Sequence, residues 1–357
     1  MLTDNSQYDA SPFVLPAVAL DVHAATFTKL TGPDGIDYQT VPDPKPGPGE
    51  AVVDVAAASL NRHDLFVLRG ESAMSDTVDF PFVSGLDLAG VVDSVGPRVD
   101  SVAPGDRVVL CPNQTCGTCR FCRDGPENLC EQFGLFHGAF ADQACVSADR
   151  LLALPDGVDA TTAAALPTAY MTAWHMLRQT DVTAGDRVFV PGATGNVGVA
   201  ACQLVGALGA ESIGSSGDST KCDRLAAHAD HVIEGRDPDV LRDAVTDIDP
   251  VDAVLNHLGG EYVQLGLDVL RRGGRMAVCG KTAGASAEIA VDDLYWDQYH
   301  LTGSTMGTQP DLERVLSMAA SGAVEPVIDT TYNLAETATA FRRMENSDAF
   351  GSLVVTP

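Results

Sequence analysis

Gly185-Asp-Arg-Val-Phe-Val-Pro-Gly-Ala-Thr-Gly-Asn-Val-Gly-Val-Ala-Ala201 is the stretch on which the reading of this chain turns. Residues 187–190 read as a buried strand, the glycines as a turn, and the residues beyond Gly195 as the start of a helix. Gly192, Gly195 and Gly198 stand three residues apart. That spacing lets the chain turn sharply, brings backbone close to a pyrophosphate and packs the helix tightly on the strand. The first N–H groups of the helix then lack intrahelical partners and offer themselves to an anion. Glycines also punctuate ordinary turns, but here a strand precedes them, an amphipathic helix (200–208) follows, and a second strand begins near Ser212. The turn, with Thr194, Asn196 and Val197, is therefore expected to hold a dinucleotide.

Working outward, strand and helix patterns alternate: strands at 187–190, 212–215, 252–256 and 274–279, helices at 197–208, 221–229 and 261–270. Such alternation implies right-handed crossovers and a parallel sheet. A helix-like stretch, 161–179, leads into it. The preceding part differs, with short strands at 22–27, 51–57, 88–95, 106–110 and 142–146 and the turn Pro42-Asp-Pro-Lys-Pro-Gly-Pro-Gly49, which fits a mainly antiparallel, barrel-like β domain. A helix (309–320) and two strands (329–332, 351–355) look like a return to that first domain. Residues 1–21 are polar and aperiodic and read as a mobile extension.

Composition restricts the function classes. The net charge of -27 comes from 37 Asp and 12 Glu against 18 Arg and 4 Lys. Such a surface repels nucleic acid and anionic lipid, so neither is expected as a partner. The acids are scattered along the chain, and with so few lysines the pattern resembles proteins of salt-loving organisms. No apolar run reaches membrane-spanning length, and the N-terminus lacks a basic region ahead of an apolar one, so a cytoplasmic protein is expected.

Four of nine cysteines have a special spacing, Cys116-x2-Cys119-x2-Cys122-x7-Cys130. Four thiolates this close can surround Zn2+ and staple a loop that has no core of its own. A disulfide pair is disfavoured by a reducing cytosol, and the last spacing is unusual for an iron–sulfur cluster. One structural zinc is the expectation. Cys111, Cys145, Cys202, Cys222 and Cys279 read as small core residues.

In this order, Gly85-Leu-Asp-Leu-Ala-Gly-Val-Val-Asp-Ser-Val-Gly96 with Pro104-Gly-Asp-Arg-Val108, the cysteine lobe, the Gly192 turn and Gly303-Ser-Thr-Met-Gly307 resemble the medium-chain dehydrogenase/reductase superfamily, the zinc alcohol dehydrogenase and quinone oxidoreductase relatives. The resemblance implies an α/β protein with a GroES-like β-barrel catalytic domain (22–162, cysteine lobe 111–131), a Rossmann doubly wound parallel sheet (163–304) and a return to the catalytic domain (305–357). It also implies a cofactor in the cleft between them, a small-molecule substrate, and a homodimer or homotetramer. Zinc alcohol dehydrogenases hold a catalytic metal through a Cys, a His followed by Glu, and a Cys or acid. The corresponding residues here are Asn61, Leu86 followed by Asp87, and Thr168, a poor ligand set. Without that Lewis acid, reduction of an activated acceptor asks less of the protein than oxidation of a simple alcohol.

The expected activity is therefore NADPH-dependent hydride transfer to a quinone or α,β-unsaturated carbonyl without catalytic zinc. A zinc-dependent alcohol dehydrogenase and an NADPH-binding sensor without turnover are the alternatives. Asn61 can donate to a substrate carbonyl, His63 can pass a proton or be fixed by Asp64 or the cofactor ribose, and Tyr170 can face the substrate or fill the core. By resemblance Thr168 and Thr172 approach the nicotinamide. His257, Cys279 and Gly280 lie at carboxyl ends of parallel strands, where nucleotides bind, and His257 can equally be a hydrogen-bonded core or rim histidine. The second strand ends in Ser-Ser rather than an acid, and Ser216 and Lys221 match NADPH-binding positions of the quinone oxidoreductases, so NADP is favoured over NAD.

Overall fold

The computed structural model describes residues 22–357; the expected extension, 1–21, lies outside them. Six parallel strands form one sheet in the order His231–Glu234, Glu211–Ser216, Arg187–Val190, Val251–Asn256, Leu270–Val278, His300–Gly303. Strand order reverses on either side of Arg187–Val190. This is the doubly wound arrangement, and its reversal point opens a crevice beyond the carboxyl ends of the strands. Val188, Phe189 and Val190 are fully buried, so the apolar run was correctly read as a central strand.

The other half is built on a seven-stranded, mainly antiparallel sheet. Its order is Leu151–Ala153, Arg107–Leu110, Asp87–Val95, Glu50–Ser59, Ser352–Thr356, Ile328–Asn333, with Gln143–Ser147 also paired to Glu50–Ser59. A three-stranded sheet of Ile36–Val41, Val22–Phe27 and Phe82–Val83 accompanies it. Val354 pairs with Ser59, so the last strand does return to the first sheet.

Two expectations change. The helix Gln309–Ala320 does not go back with the strands: its buried face, Leu312, Val315 and Leu316, shares a core with Met171, Met176 and Leu177 of the helix Met171–Gln179. Asp311 seals that contact through His175 Nδ1 at 2.9 Å. Nor is 161–179 one helix. It divides into Ala160–Ala164, a π turn at Leu166–Tyr170 and Met171–Gln179. Pro167 has no N–H to give the helical ladder, and the wider turn accommodates it. The N–H of Thr168 is thereby free to leave the ladder, which matters below.

No helix among the described residues is long and apolar enough to cross a membrane.

Candidate active site

The three glycines of the turn answer three different needs. Gly192 has φ +66°, a conformation that costs a residue with a Cβ. Gly195 would carry its Cβ into open space on the wall of the cavity, so a side chain there would occupy ligand volume. Gly198 would place a Cβ 2.6 Å from Ala193 Cα, against backbone, so only glycine lets the helix Asn196–Ala207 sit this close to the turn. The turn is tied to the C-terminal strand as well, Gly351 donating to Thr194 O at 3.0 Å.

Above the turn lies a cavity of about 610 Å³, a size suited to a cofactor and a small substrate. Its lining includes Gly192, Thr194, Gly195, Asn196 and Val197 of the turn and helix start. Asn61, His63, Thr168, Thr172, His257, Cys279 and Gly280 line it as well. His63 Nε2 and Ser304 Oγ are buried in these walls without a hydrogen-bond partner among the described residues. Glycine backbone at the turn, a helix N-terminus and waiting polar atoms together fit a dinucleotide. Burial lowers the pKa of His257 to about 4 and raises that of Cys279 to about 12, so both face the cavity uncharged at neutral pH.

At the end of the second strand, Asp218 does not point its charge at a ligand. Its carboxylate caps the helix Ser219–Leu225, accepting from Thr220 N at 2.9 Å and Lys221 N at 3.2 Å. Lys221 lines the cavity, but its Nζ donates to Ser347 O and Ala349 O. The sequence reading missed Arg236. It lines the same corner, a Cβ on Gly217 would fall on its side chain, and among the described residues its guanidinium pairs with no carboxylate. Arg62, also in the wall, is equally without one.

The decisive polar cluster is centred on Asp87, only 1% exposed. Its Oδ1 accepts from Thr168 Oγ1 at 2.7 Å, and its Oδ2 from Asn61 Nδ2 at 2.9 Å and Thr168 N at 3.1 Å. No cation bonds to it among the described residues, and burial, outweighing these donors, raises its pKa to about 7. The cluster corrects the expectation for Asn61. Its Nδ2 is spent on Asp87 and on Ser59 O at 3.4 Å, while its Oδ1 accepts from Asn196 Nδ2 at 3.2 Å. Asn61 thus bridges the two halves and has no hydrogen left for a substrate.

Behind it, Asp64 is fully buried and accepts from Ser84 Oγ at 2.7 Å, Asn61 N at 3.0 Å and Gly85 N at 3.1 Å. Ser84 also meets His137 Nδ1 at 3.2 Å, and the rings of His137 and His63 lie 5.6 Å apart. Burial holds both imidazoles below their ordinary pKa, and His137 falls to about 3. Tyr170 is elsewhere: it is 1% exposed, does not line the cavity, and donates to Gln203 Oε1 at 2.9 Å. Thr168 and Thr172 are four residues apart and share a face, so Tyr170, two from each, points away.

In the lobe, the Sγ atoms of Cys116, Cys119, Cys122 and Cys130 all lie within 4.8 Å of one another, with Cys116 to Cys122 at 3.9 Å and Cys119 to Cys122 at 3.5 Å. Tetrahedral zinc with bonds of about 2.3 Å needs sulfurs about 3.8 Å apart. The N–H groups of Cys116 and Cys119 already point at Cys130 Sγ and Cys116 Sγ, both at 3.3 Å, as donors to thiolates do. All nine cysteines are free in this structure.

The family model for the alcohol dehydrogenase GroES-like domain matches residues 47–156, and that for zinc-binding dehydrogenases matches residues 227–355. A solved NAD-dependent alcohol dehydrogenase is 31% identical, with a TM-score of 0.86, covering 94% of this chain and 99% of its own. The chain belongs to the medium-chain dehydrogenase/reductase superfamily. A cobalt- and zinc-bound alcohol dehydrogenase of the superfamily from Pyrobaculum aerophilum is also 31% identical, with a TM-score of 0.86 over 95% of this chain and 100% of its own. The acryloyl-coenzyme A reductase of Metallosphaera sedula is 28% identical over 90% of this chain and 96% of its own. This member of the superfamily is an oxidoreductase of the alcohol dehydrogenase and enoyl reductase kind. Asn61, Leu86 and Thr168 all line its cavity, and Asn61 and Thr168 are both hydrogen-bonded to Asp87.

Proposed function

We propose that the chain reduces α,β-unsaturated carbonyl compounds with NADPH, holds one zinc in its cysteine lobe and uses no metal at the reaction centre. The observation that supports this reading is the Asp87 cluster: Asn61 and Thr168 are committed to a buried carboxylate, and Leu86 offers no atom that could ligate a metal. The named activity of the Metallosphaera sedula relative supports an enoyl acceptor.

Gly195, Asn196, Val197 and Arg62 would hold the pyrophosphate, Thr172, His257 and Cys279 the nicotinamide end, and Arg236 with Ser216 and Lys221 the 2′-phosphate. When bound, NADPH supplies the hydride. The chain's own task is to orient the acceptor against Thr168 and His63 and to keep water out. The last strand of the parallel sheet, His300–Gly303, is an open edge among the described residues and follows the helix that carries exposed Val291, Tyr295 and Trp296, and a second copy pairing there would make a homodimer.

The test is nicotinamide oxidation against an enoyl thioester, an enone, a quinone and simple aldehydes and ketones. NADPH oxidation with the unsaturated carbonyls is expected. Turnover of simple aldehydes and ketones alone would favour the alcohol dehydrogenase reading, and tight NADPH binding with no turnover the sensor.

A further inference from the structure

Resting on that reading, we propose that Thr168 Oγ1 donates the proton that completes reduction, and that Asp87 is the positioning group that supplies it. Thr168 lines the cavity, and its hydroxyl lies 2.7 Å from Asp87 Oδ1. The two residues have two states. With Asp87 ionised, the Thr168 hydrogen points to the carboxylate and none is offered to the cavity. With Asp87 protonated, the carboxyl O–H donates to Thr168 Oγ1, and the Thr168 hydrogen turns toward an acceptor oxygen.

The other candidates are placed less well. Asn61 has spent both amide hydrogens and Tyr170 faces Gln203. His63 presents a buried, unpartnered Nε2, but its burial disfavours the charged form that would carry a proton to give. The ionisable groups acting on Asp87 are Asp64, on the helix Arg62–Leu68, and Cys111, beyond the strand Arg107–Leu110. Asp64 opposes a second negative charge, and the buried Cys111 thiol, with its pKa raised to about 12, is neutral.

The step balances. Hydride forms a C–H bond at the β carbon, and the C=C electron pair moves toward the carbonyl, whose oxygen takes the Thr168 proton. Thr168 recovers a proton from the Asp87 carboxyl. The carboxylate that remains is met by the three donors already aimed at it, and the enol tautomerises to the saturated product. Asp87 regains its proton from water before the next turnover.

The kcat is expected to fall as pH rises through about 7, because the acid form is the active one. Thr168→Val is expected to lose about 100-fold or more in kcat and to lose the inflection, whereas Thr168→Ser keeps the inflection and stays within about threefold. Asp87→Asn should leave a flat profile. Carbon-13 NMR of carboxyl-labelled aspartate, assigned with Asp87→Asn, reads the titration without turnover and should give a midpoint near pH 7. A Thr168→Val enzyme with the wild-type rate and inflection overturns the donor role alone, as does an Asp87 midpoint below pH 5. Absence of turnover with every acceptor overturns the reductase reading and the donor role together.

Discussion

Gly198→Ala is expected to destabilise the protein by about 1–3 kcal/mol and to weaken NADPH binding at least about tenfold. Alanine normally favours a helix over glycine by about 1 kcal/mol, so the expected sign runs against propensity. The reason is steric: the new methyl would lie 2.6 Å from Ala193 Cα and 2.8 Å from Gly192 O, backbone atoms that cannot swing aside. The helix must then back away from the turn, and its N–H groups retreat from the anion they are placed to meet. Gly206 is the internal control. It sits in the same helix, is exposed, and would carry a Cβ with nothing within 4 Å. Gly206→Ala should be neutral or mildly stabilising. Thermal unfolding with and without NADPH separates the two variants, and equal behaviour would remove the case for close packing at the turn.

The second large effect is expected at the corner below Ser216. Arg236→Ala should raise the Kd for NADPH about 10- to 100-fold and leave that for NADH within about twofold, since a charge-assisted hydrogen bond contributes about 1.5–3 kcal/mol. Lys221→Ala should weaken NADPH less. Its ammonium is already shared between Ser347 O and Ala349 O, and part of its loss falls on the docking of that segment rather than on the phosphate. The contrast with Arg236, whose guanidinium pairs with no carboxylate among the described residues and lines the cavity, is what makes arginine the stronger discriminator. Equal loss for both dinucleotides in both variants would mean that neither side chain reads the 2′-phosphate.

What the sequence disclosed follows the range of the interactions concerned. The glycine turn was legible because its reasons lie within seven residues: a positive φ, an open wall and one close approach. The cysteine lobe was legible for the same reason, all four thiols falling between residues 116 and 130. Asp87 was not, because its partners are 26 and 81 residues away and nothing local announces that a carboxylate after Leu86 will be buried beneath Thr168. Asn61 was placed in the right wall and given the wrong task, since its amide is consumed by partners as distant as Asn196. Arg236 was not legible because it reaches in from beyond the next strand over a residue, Gly217, that has no side chain to block it. Of the two readings for Tyr170 the core one holds, and its spacing of two from Thr168 and from Thr172 already puts it on the far face. The helix Gln309–Ala320 was found but misplaced, because its apolar stripe specifies that it packs and not what it packs against.

The most direct test of the central claim, a reductase whose reaction centre is a hydrogen-bonded carboxyl in place of a metal, is the zinc content of enzyme shown to oxidise NADPH with an unsaturated carbonyl acceptor. One zinc per chain is expected, held by Cys116, Cys119, Cys122 and Cys130. Two zincs per active chain would put a metal back at the centre and contradict it.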